Sequence, residues 1–343
     1  MKVQIKDLKT ALKVVKAGLS SGKETTDQSG SFVFQDGMAY TYNDEVSVRA
    51  PFLTKDISGA VGAKELVALV GKLKGDECEI EFSDNELQVK CGRIKAGIRL
   101  EAEIHMPLQE IELPGKKEWI KVPDNFDKIL KAVIFSASKD MSTPILTVIH
   151  CNGDFIESTD SDRATRWDVK KAGKYFPVPI LLPVNAAKSL VGYDTIVAYA
   201  EKGGWVHFDL GGGTVFSCRT FEGKYPDLEP VLNVDGYGLE FPAEIKDMLD
   251  RAGIFVESDF DQEKLVHIEI SDKGVLKVKA EGESGWIEES VRLRNHAKES
   301  INFSINPHHL QQILSSVTIG IIGQDRILFQ SDNFQHVVAL EVK

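Results

Sequence analysis

The chain has 343 residues, with 52 acidic against 41 basic side chains and a formal net charge of −11. At 42 % apolar residues it is too hydrophobic for a disordered chain, and its length suggests two or three domains. Its four cysteines (Cys78, Cys91, Cys151, Cys218) include no C-x-x-C pair, which argues against a zinc module or a disulfide framework. The longest apolar stretch, 176–184, is broken by Pro177, Pro179 and Pro183 and falls far short of the roughly 20 residues of a membrane span. The opening MKVQIKDLKT has no hydrophobic signal-peptide core, so a cytosolic protein is expected.

Taken in chain order, apolar residues recur at i, i+3, i+4, i+7, the stripe of an amphipathic helix, in five places. These are Leu8/Ala11/Leu12/Val15, Leu66/Leu69/Val70/Leu73, Phe126/Ile129/Leu130/Val133, Ile245/Met248/Leu249/Ala252 and Leu310/Ile313/Leu314/Val317. A weaker sixth lies at Ala186/Ala187/Leu190. Start signals at Asp7, Pro123-Asp124, Pro183 with Asn185, and Pro242 follow short strands, and a fifth helix opens at Asn306-Pro307. Each helix is trailed by alternating segments joined by turn residues, for example Gln35-Asp36-Gly37, Cys151-Asn152-Gly153, Lys202-Gly203-Gly204 and Ser271-Asp272-Lys273-Gly274.

The stripes begin near positions 8, 66, 126, 186, 245 and 310, a spacing of roughly 60 residues that marks an internal repeat. The repeat is strand–helix–three strands, used six times in an α+β chain. Turn-rich joins at 112–121 and 233–238 group the repeats into three domains of two, 1–115, 116–236 and 237–343.

Catalytic signatures are sparse. There is no G-x-x-x-x-G-K-[ST] loop and no G-x-S-x-G elbow, and Gly211-Gly212-Gly213 lies between two strand patterns, where it reads as a turn. His308-His309 reads as a surface pair. Asp154, Asp160 and Asp162 lack the twelfth-position Glu of a calcium loop, so no metal or cofactor is expected. Trp119, Trp167, Trp205 and Trp286 fall in strand contexts and read as core. Two alternatives remain open: a β-rich hydrolase using Asp160, Asp162 and Arg163, or a module that binds peptides and not DNA.

Three passages carry a family resemblance. Ser158-Thr159-Asp160-Ser161-Asp162-Arg163 resembles the T-D-G-H-R segment of bacterial beta sliding clamps, the DNA polymerase III beta subunit family of processivity factors. Phe221-Glu222-Gly223-Lys224-Tyr225-Pro226-Asp227-Leu228 is similar to that family's G-R-F-P-D-Y string, and Val337-Val338-Ala339-Leu340-Glu341-Val342-Lys343 to its last strand. The sequence departs from the pattern at Ser161 and Asp162, where Gly-His is usual, and at Ala164 and Ala339, where larger side chains are usual.

The resemblance implies a clamp fold whose helices line a ring, a non-enzymatic homodimer around double-stranded DNA. It also implies a replicative polymerase and an ATP-dependent clamp loader as partners, at the replisome in the cytoplasm. Helix geometry agrees: six helices side by side at roughly 10 Å enclose too little space for a duplex, whereas twelve leave roughly 28 Å. Lysines clear of the apolar stripes then read as the DNA-facing lining: Lys6, Lys9, Lys13, Lys16, Lys23, Lys64, Lys72, Lys128, Lys131 and Lys188, with Lys246 and Arg251 on a helix diluted by aspartates. Such a lining holds phosphates without reading bases. The family's dimer seam maps to Ile94, Ile98 and Leu100 against Ile254 and Phe255. Its partner-peptide pocket maps to Cys151, Thr159, Asp160, Asp162, Arg163, Ala164, Pro226, Val231, Val337, Ala339 and Leu340, with the two alanines favouring an aromatic anchor.

Overall fold

The computed structural model describes residues 1–20, 22, 26–55, 57–83, 85–170, 175–256, 264–294 and 300–341. Six strand–helix–three-strand repeats follow one another along the chain. The first is β1 (Lys2–Gln4), α1 (Ile5–Val15), β2 (Ser31–Gln35), β3 (Met38–Tyr42) and β4 (Val46–Pro51); the second is β5 (Gly59–Gly62), α2 (Ala63–Lys72), β6 (Glu77–Ser83), β7 (Glu86–Cys91) and β8 (Ile94–Glu101). The third is β9 (Ile120–Lys121), α3 (Phe126–Ile134), β10 (Val148–Cys151), β11 (Phe155–Thr159) and β12 (Arg163–Asp168). The fourth is β13 (Ile180–Pro183), α4 (Val184–Leu190), β14 (Ala198–Lys202), β15 (Trp205–Asp209) and β16 (Val215–Arg219). A one-turn helix α5 (Glu229–Leu232) precedes the fifth, β17 (Tyr237–Glu240), α6 (Ile245–Gly253), β18 (Val266–Ile270), β19 (Val275–Gly282) and β20 (Gly285–Arg292). The sixth is β21 (Ile301–Ile305), α7 (Pro307–Leu314), β22 (Ile319–Ile322), β23 (Arg326–Ser331) and β24 (Phe334–Ala339).

Local chemistry accounts for these elements. On α1 the buried Ile5, Leu8, Leu12 and Val15 form one stripe, which drives the helix onto its sheet and leaves the lysines in water. Asn306 caps α7, its Oδ1 accepting from the backbone N–H of His308 at 2.9 Å, with Pro307 at the first helical position. Asp7, expected to start α1, instead lies in its first turn, because the helix opens directly from β1 at Ile5. Between β2 and β3, Asp36 and Gly37 both have positive φ, 53° and 76°, the geometry that a two-residue hairpin requires.

The chain divides into two compact bodies: Met1–Lys131 with Cys151–Gly153 and Ala172–Gly223, and Ala132–His150 with Asp154–Lys171 and Lys224–Lys343. The boundary runs through the 116–236 stretch. In the first body the strand order is β1-β6-β7-β8-β5-β2-β3-β4-β16-β15-β14-β9. Its β4–β16 ladder (Val46 opposite Cys218, Arg49 opposite Val215) joins the first repeat to the fourth. In the second body the order β11-β12-β24-β23-β22-β17 contains the equivalent join, β12 to β24 (Arg163 opposite Val338), and a second sheet runs β20-β19-β18-β21. The helices cover inner faces: Leu249, Leu310 and Ile313 pack with Phe303, Phe329 and Ile268 in the second body.

Two histidines are buried in these sheets. His207 is fully enclosed, its ring nitrogens 2.8 Å from Ser217 Oγ and 3.4 Å from the Lys202 carbonyl oxygen. Burial pushes its pKa down to about 4. His336, also enclosed and 2.8 Å from Thr165 Oγ1, is held well below the ordinary value by burial first and then by the nearby Arg163 guanidinium. Both are neutral when folded and take up protons on unfolding, so stability is full above their ordinary pKa of about 6.5 and falls as the pH drops below it. Between pH 7 and 5, His207 should account for about 2 kcal/mol of lost stability. Urea unfolding at the two pH values should show that loss, and His207→Asn should reduce the difference.

Candidate functional site

The turn between β11 and β12 is built by one carboxylate. Asp160 Oδ1 accepts from the backbone N–H of Asp162 (3.2 Å) and Arg163 (3.0 Å), and its Oδ2 accepts from Arg163 Nε at 2.9 Å. Thr159 Oγ1 donates to the Arg163 carbonyl, and the guanidinium reaches on to Gln312 Oε1 at 2.7 Å. Asp160 therefore shapes a turn and neutralises an arginine, which leaves it poorly suited to the acid–base work of a hydrolase.

Beside this turn lies a cavity of about 390 Å³ within the second body. Apolar Leu146, Ala164, Pro226, Leu228, Val231, Val337 and Ala339 line it, with Thr159, Ser161, Asp162, Arg163, Asp227, Asp325 and Arg326 at its polar parts. Thus Thr159, Asp162, Arg163, Ala164, Pro226, Val231, Val337 and Ala339 line one cavity. Cys151 and Leu340 are buried and do not line it, and Asp160 acts one step behind, through Arg163. Ser161, Asp227 and Leu228 belong to the same turn and closing segment, whereas Leu146, Asp325 and Arg326 were not foreseen. Apolar walls distinguish this cavity from a hollow of about 810 Å³ in the first body, lined by Glu86, Arg99, Glu101, Glu103 and His105, where little hydrophobic burial is on offer.

One wall of the cavity, α5 and the residues before it, is fixed by a buried guanidinium. Arg166 donates to Glu157 at 2.7 Å and to Glu229 of α5 at 2.5 Å, and lies 4.0 Å over the Phe155 ring. His150 completes the cluster, 2.8 Å from Glu157 and stacked on Tyr225 at 4.9 Å.

The foreseen lysines fall on four helices. Lys6, Lys9 and Lys13 on α1, Lys16 just after it, Lys64 and Lys72 on α2, Lys128 and Lys131 on α3 and Lys188 on α4 are all exposed, opposite the buried stripes. Lys23 lies outside the described residues. Tyr193, just past α4, donates its hydroxyl to the Val14 carbonyl of α1 at 2.7 Å, so the segment that follows α4 lies against α1. In the second body Arg251 is tied to Glu289 by bonds of 2.6 and 2.7 Å, and Lys246 is half-buried.

At the expected seam, β8 pairs with β7 through 94–99 and with β5 through Leu100 and Glu101, so among the described residues 94–99 has one unpaired edge. Ile94 is exposed and Ile98 half-buried there, whereas Leu100 is buried by its pairing with Val61. Ile254 and Phe255 follow α6 and sit on no strand. Phe255 lies against the β19–β20 turn, where a Cβ on Gly282 would collide with its carbonyl oxygen and one on Gly285 would lie 3.5 Å from its ring. The strand edge beside them is β20, whose Trp286 is 72 % exposed. Trp286 is thus not core: the alternation along β20 places it on the outer face.

The chain has the sliding-clamp fold over its full length. No family model and no curated protein sequence matches it. Among solved structures it is similar to the beta subunit from DNA polymerase of Streptococcus pyogenes, with TM-score 0.85 at 15 % identity over 100 % of this chain and 99 % of that one. It is similar to the DNA polymerase III subunit beta from Pseudomonas aeruginosa (0.82, 16 %, 99 % of each chain). The DNA polymerase sliding clamp from Bacillus subtilis gives 0.82 at 17 %, over 100 % of this chain and 98 % of that one.

The Arg166 cluster generates a stability test. Arg166→Met strands Glu157 in the interior and should cost about 3–5 kcal/mol in urea unfolding. Adding Glu157→Leu should recover part of that loss, because the stranded charge is then removed as well.

Proposed function

We propose that this protein is a sliding clamp: a non-catalytic ring of two chains that encircles duplex DNA and tethers a replicative polymerase. The observation that carries this reading is the full-length likeness to solved clamps. In this reading the six repeats form three domains, 1–115, 116–236 and 237–343, and an ATP-dependent loader opens the ring. The ring acts on DNA in the cytoplasm.

Three features of the chain support the parts of this reading. The exposed lysines of α1 to α4 supply positive charge on helix faces within a chain of net charge −11, which suits sliding contact with phosphates and an outer surface that repels them. The unpaired 94–99 edge of one chain pairs with β20 of the other, bringing Ile94 and Ile98 to Ile254, Phe255 and Trp286 at an apolar seam. The apolar cavity beside Arg163 receives a peptide from the polymerase, as an inserted side chain within a polar rim.

Retention on DNA tests the proposal. Loaded protein should stay on a closed circular plasmid and leave within minutes of linearisation, and Lys9→Glu with Lys13→Glu and Lys72→Glu should shorten retention on the circle and flatten the dependence on salt. Retention that ignores the topology of the DNA would contradict encirclement.

A further inference from the structure

The joins β4–β16 and β12–β24 are built on one plan. Each begins with a six-residue turn, 42–47 in the first body and 159–164 in the second. Asn43 Oδ1 accepts from the backbone N–H of Glu45 (3.2 Å) and Val46 (2.8 Å), as Asp160 does from Asp162 and Arg163. The third turn residue has positive φ in both, 76° at Asp44 and 85° at Ser161. The adjoining strand donates back to the turn from Arg219 N to the Glu45 carbonyl (2.9 Å) and from Ala339 N to the Asp162 carbonyl (2.7 Å). Trp205 stands opposite Arg219, as Arg326 stands opposite Ala339. These bonds equate Tyr42 with Thr159, Trp205 with Arg326, and Arg219 with Ala339.

The first join fills itself. Trp205 is buried 6.1 Å from the Tyr42 ring, and Arg219 lies over Trp205 at 4.7 Å. The same guanidinium donates to the Asp44 carbonyl (2.9 Å) and carboxylate (3.3 Å). The second join has Thr159, Arg326 and Ala339 at those places, and there the 390 Å³ cavity lies. Arg326 is drawn aside by a two-bond pair with Asp325 (2.8 and 2.7 Å) and by the Val231 carbonyl (3.4 Å). The turn keeps an acid one place along, at Asp162, and with Asp227 and Asp325 the cavity's three aspartates outnumber Arg163 and Arg326. Relative to its twin, the second join therefore lacks both aromatic rings and the strand-end guanidinium, has Ser161 where Asp44 accepted, carries Arg326 at the tryptophan's place, and keeps an open apolar space with acids at its rim.

We propose that the cleft recognises a peptide presenting an aromatic side chain next to a basic one, the pair that the first join supplies from its own strands. The ring would bury its area in the apolar cavity, and the cation would stack on it and meet the aspartates at the rim. This partner class presupposes that the cleft is a peptide site, so the test separates the two.

Fluorescence anisotropy of the full chain with labelled octapeptides differing only at two adjacent positions, Trp-Arg, Trp-Glu and Ala-Arg, decides it. The Trp-Arg peptide should bind about tenfold more tightly than either other peptide, a difference of about 1.4 kcal/mol. Asp162→Asn with Asp227→Asn should bring the Trp-Arg and Trp-Glu peptides to within about threefold of each other. Arg326→Trp with Ala339→Arg installs the first join's groups and should abolish binding while the molar mass and unfolding midpoint are unchanged; should that chain fail to fold, the aspartate variant alone decides. Equal affinity for Trp-Arg and Trp-Glu would overturn the partner class and leave a peptide site standing. Failure of all three peptides to bind the wild-type chain would overturn both, and binding retained by the filled variant would place the peptide elsewhere.

Discussion

A β-strand edge with unpaired N–H and C=O groups is a template for another chain, and a fold with 24 strands among its described residues must dispose of many such edges. Here the disposal is by continuation. Strand β4 finds β16 and β12 finds β24, so that sheets begun in one repeat are completed in a later one. Helices then need only cover the faces that remain, which is why a one-sided stripe of three to five buried residues suffices on α1, α2 and α6. Several edges stay unpaired among the described residues, and the longest are 94–99 of β8 and the outer side of β20. Each carries apolar side chains among its charged ones, Ile94 and Ile98 on β8 and Trp286 on β20. In the proposed ring they close on each other, and the same rule that builds the monomer builds the dimer.

Joins made by strand pairing also explain where the cleft comes from. A turn, a strand end and a returning linker meet at each join, and such a meeting leaves a hollow unless side chains fill it. Tyr42, Trp205 and Arg219 fill one hollow, while Thr159 and Ala339 leave the other open. The open one is not soft. Its walls are held by Asp160 through Arg163 on one side and by Glu229 through Arg166 on the other, so a ligand meets a shaped surface and spends little on ordering it.

Much of this was legible in the sequence, for physical reasons. A repeat of roughly 60 residues shows itself because every copy must place its stripe and its turn residues at the same spacing. Turn chemistry at Asp36-Gly37 and Asn306-Pro307 was readable because few residues tolerate those backbone positions. The cleft's turn and closing segment were readable through the T-D-S-D-R and G-K-Y-P-D strings. What could not be read was which edges stay open: alternation along β20 tells Trp286 from Ile287 but does not say which face has a neighbour. Arg326 was missed because its role depends on Asp325 and Val231, and Val231 comes together with it only in the folded chain. Leu100 was placed at the seam by order along the chain, whereas the bend where β8 meets β5 buries it.

Light scattering on the purified chain measures the closure of the leftover edges most directly. Two chains joined by β8 and β20 give twice the 38.0 kDa of one chain, and Ile98→Asp with Trp286→Asp gives the single-chain mass without unfolding. A wild-type mass of one chain, or a double variant that keeps the doubled mass, would contradict edge closure as the basis of the ring.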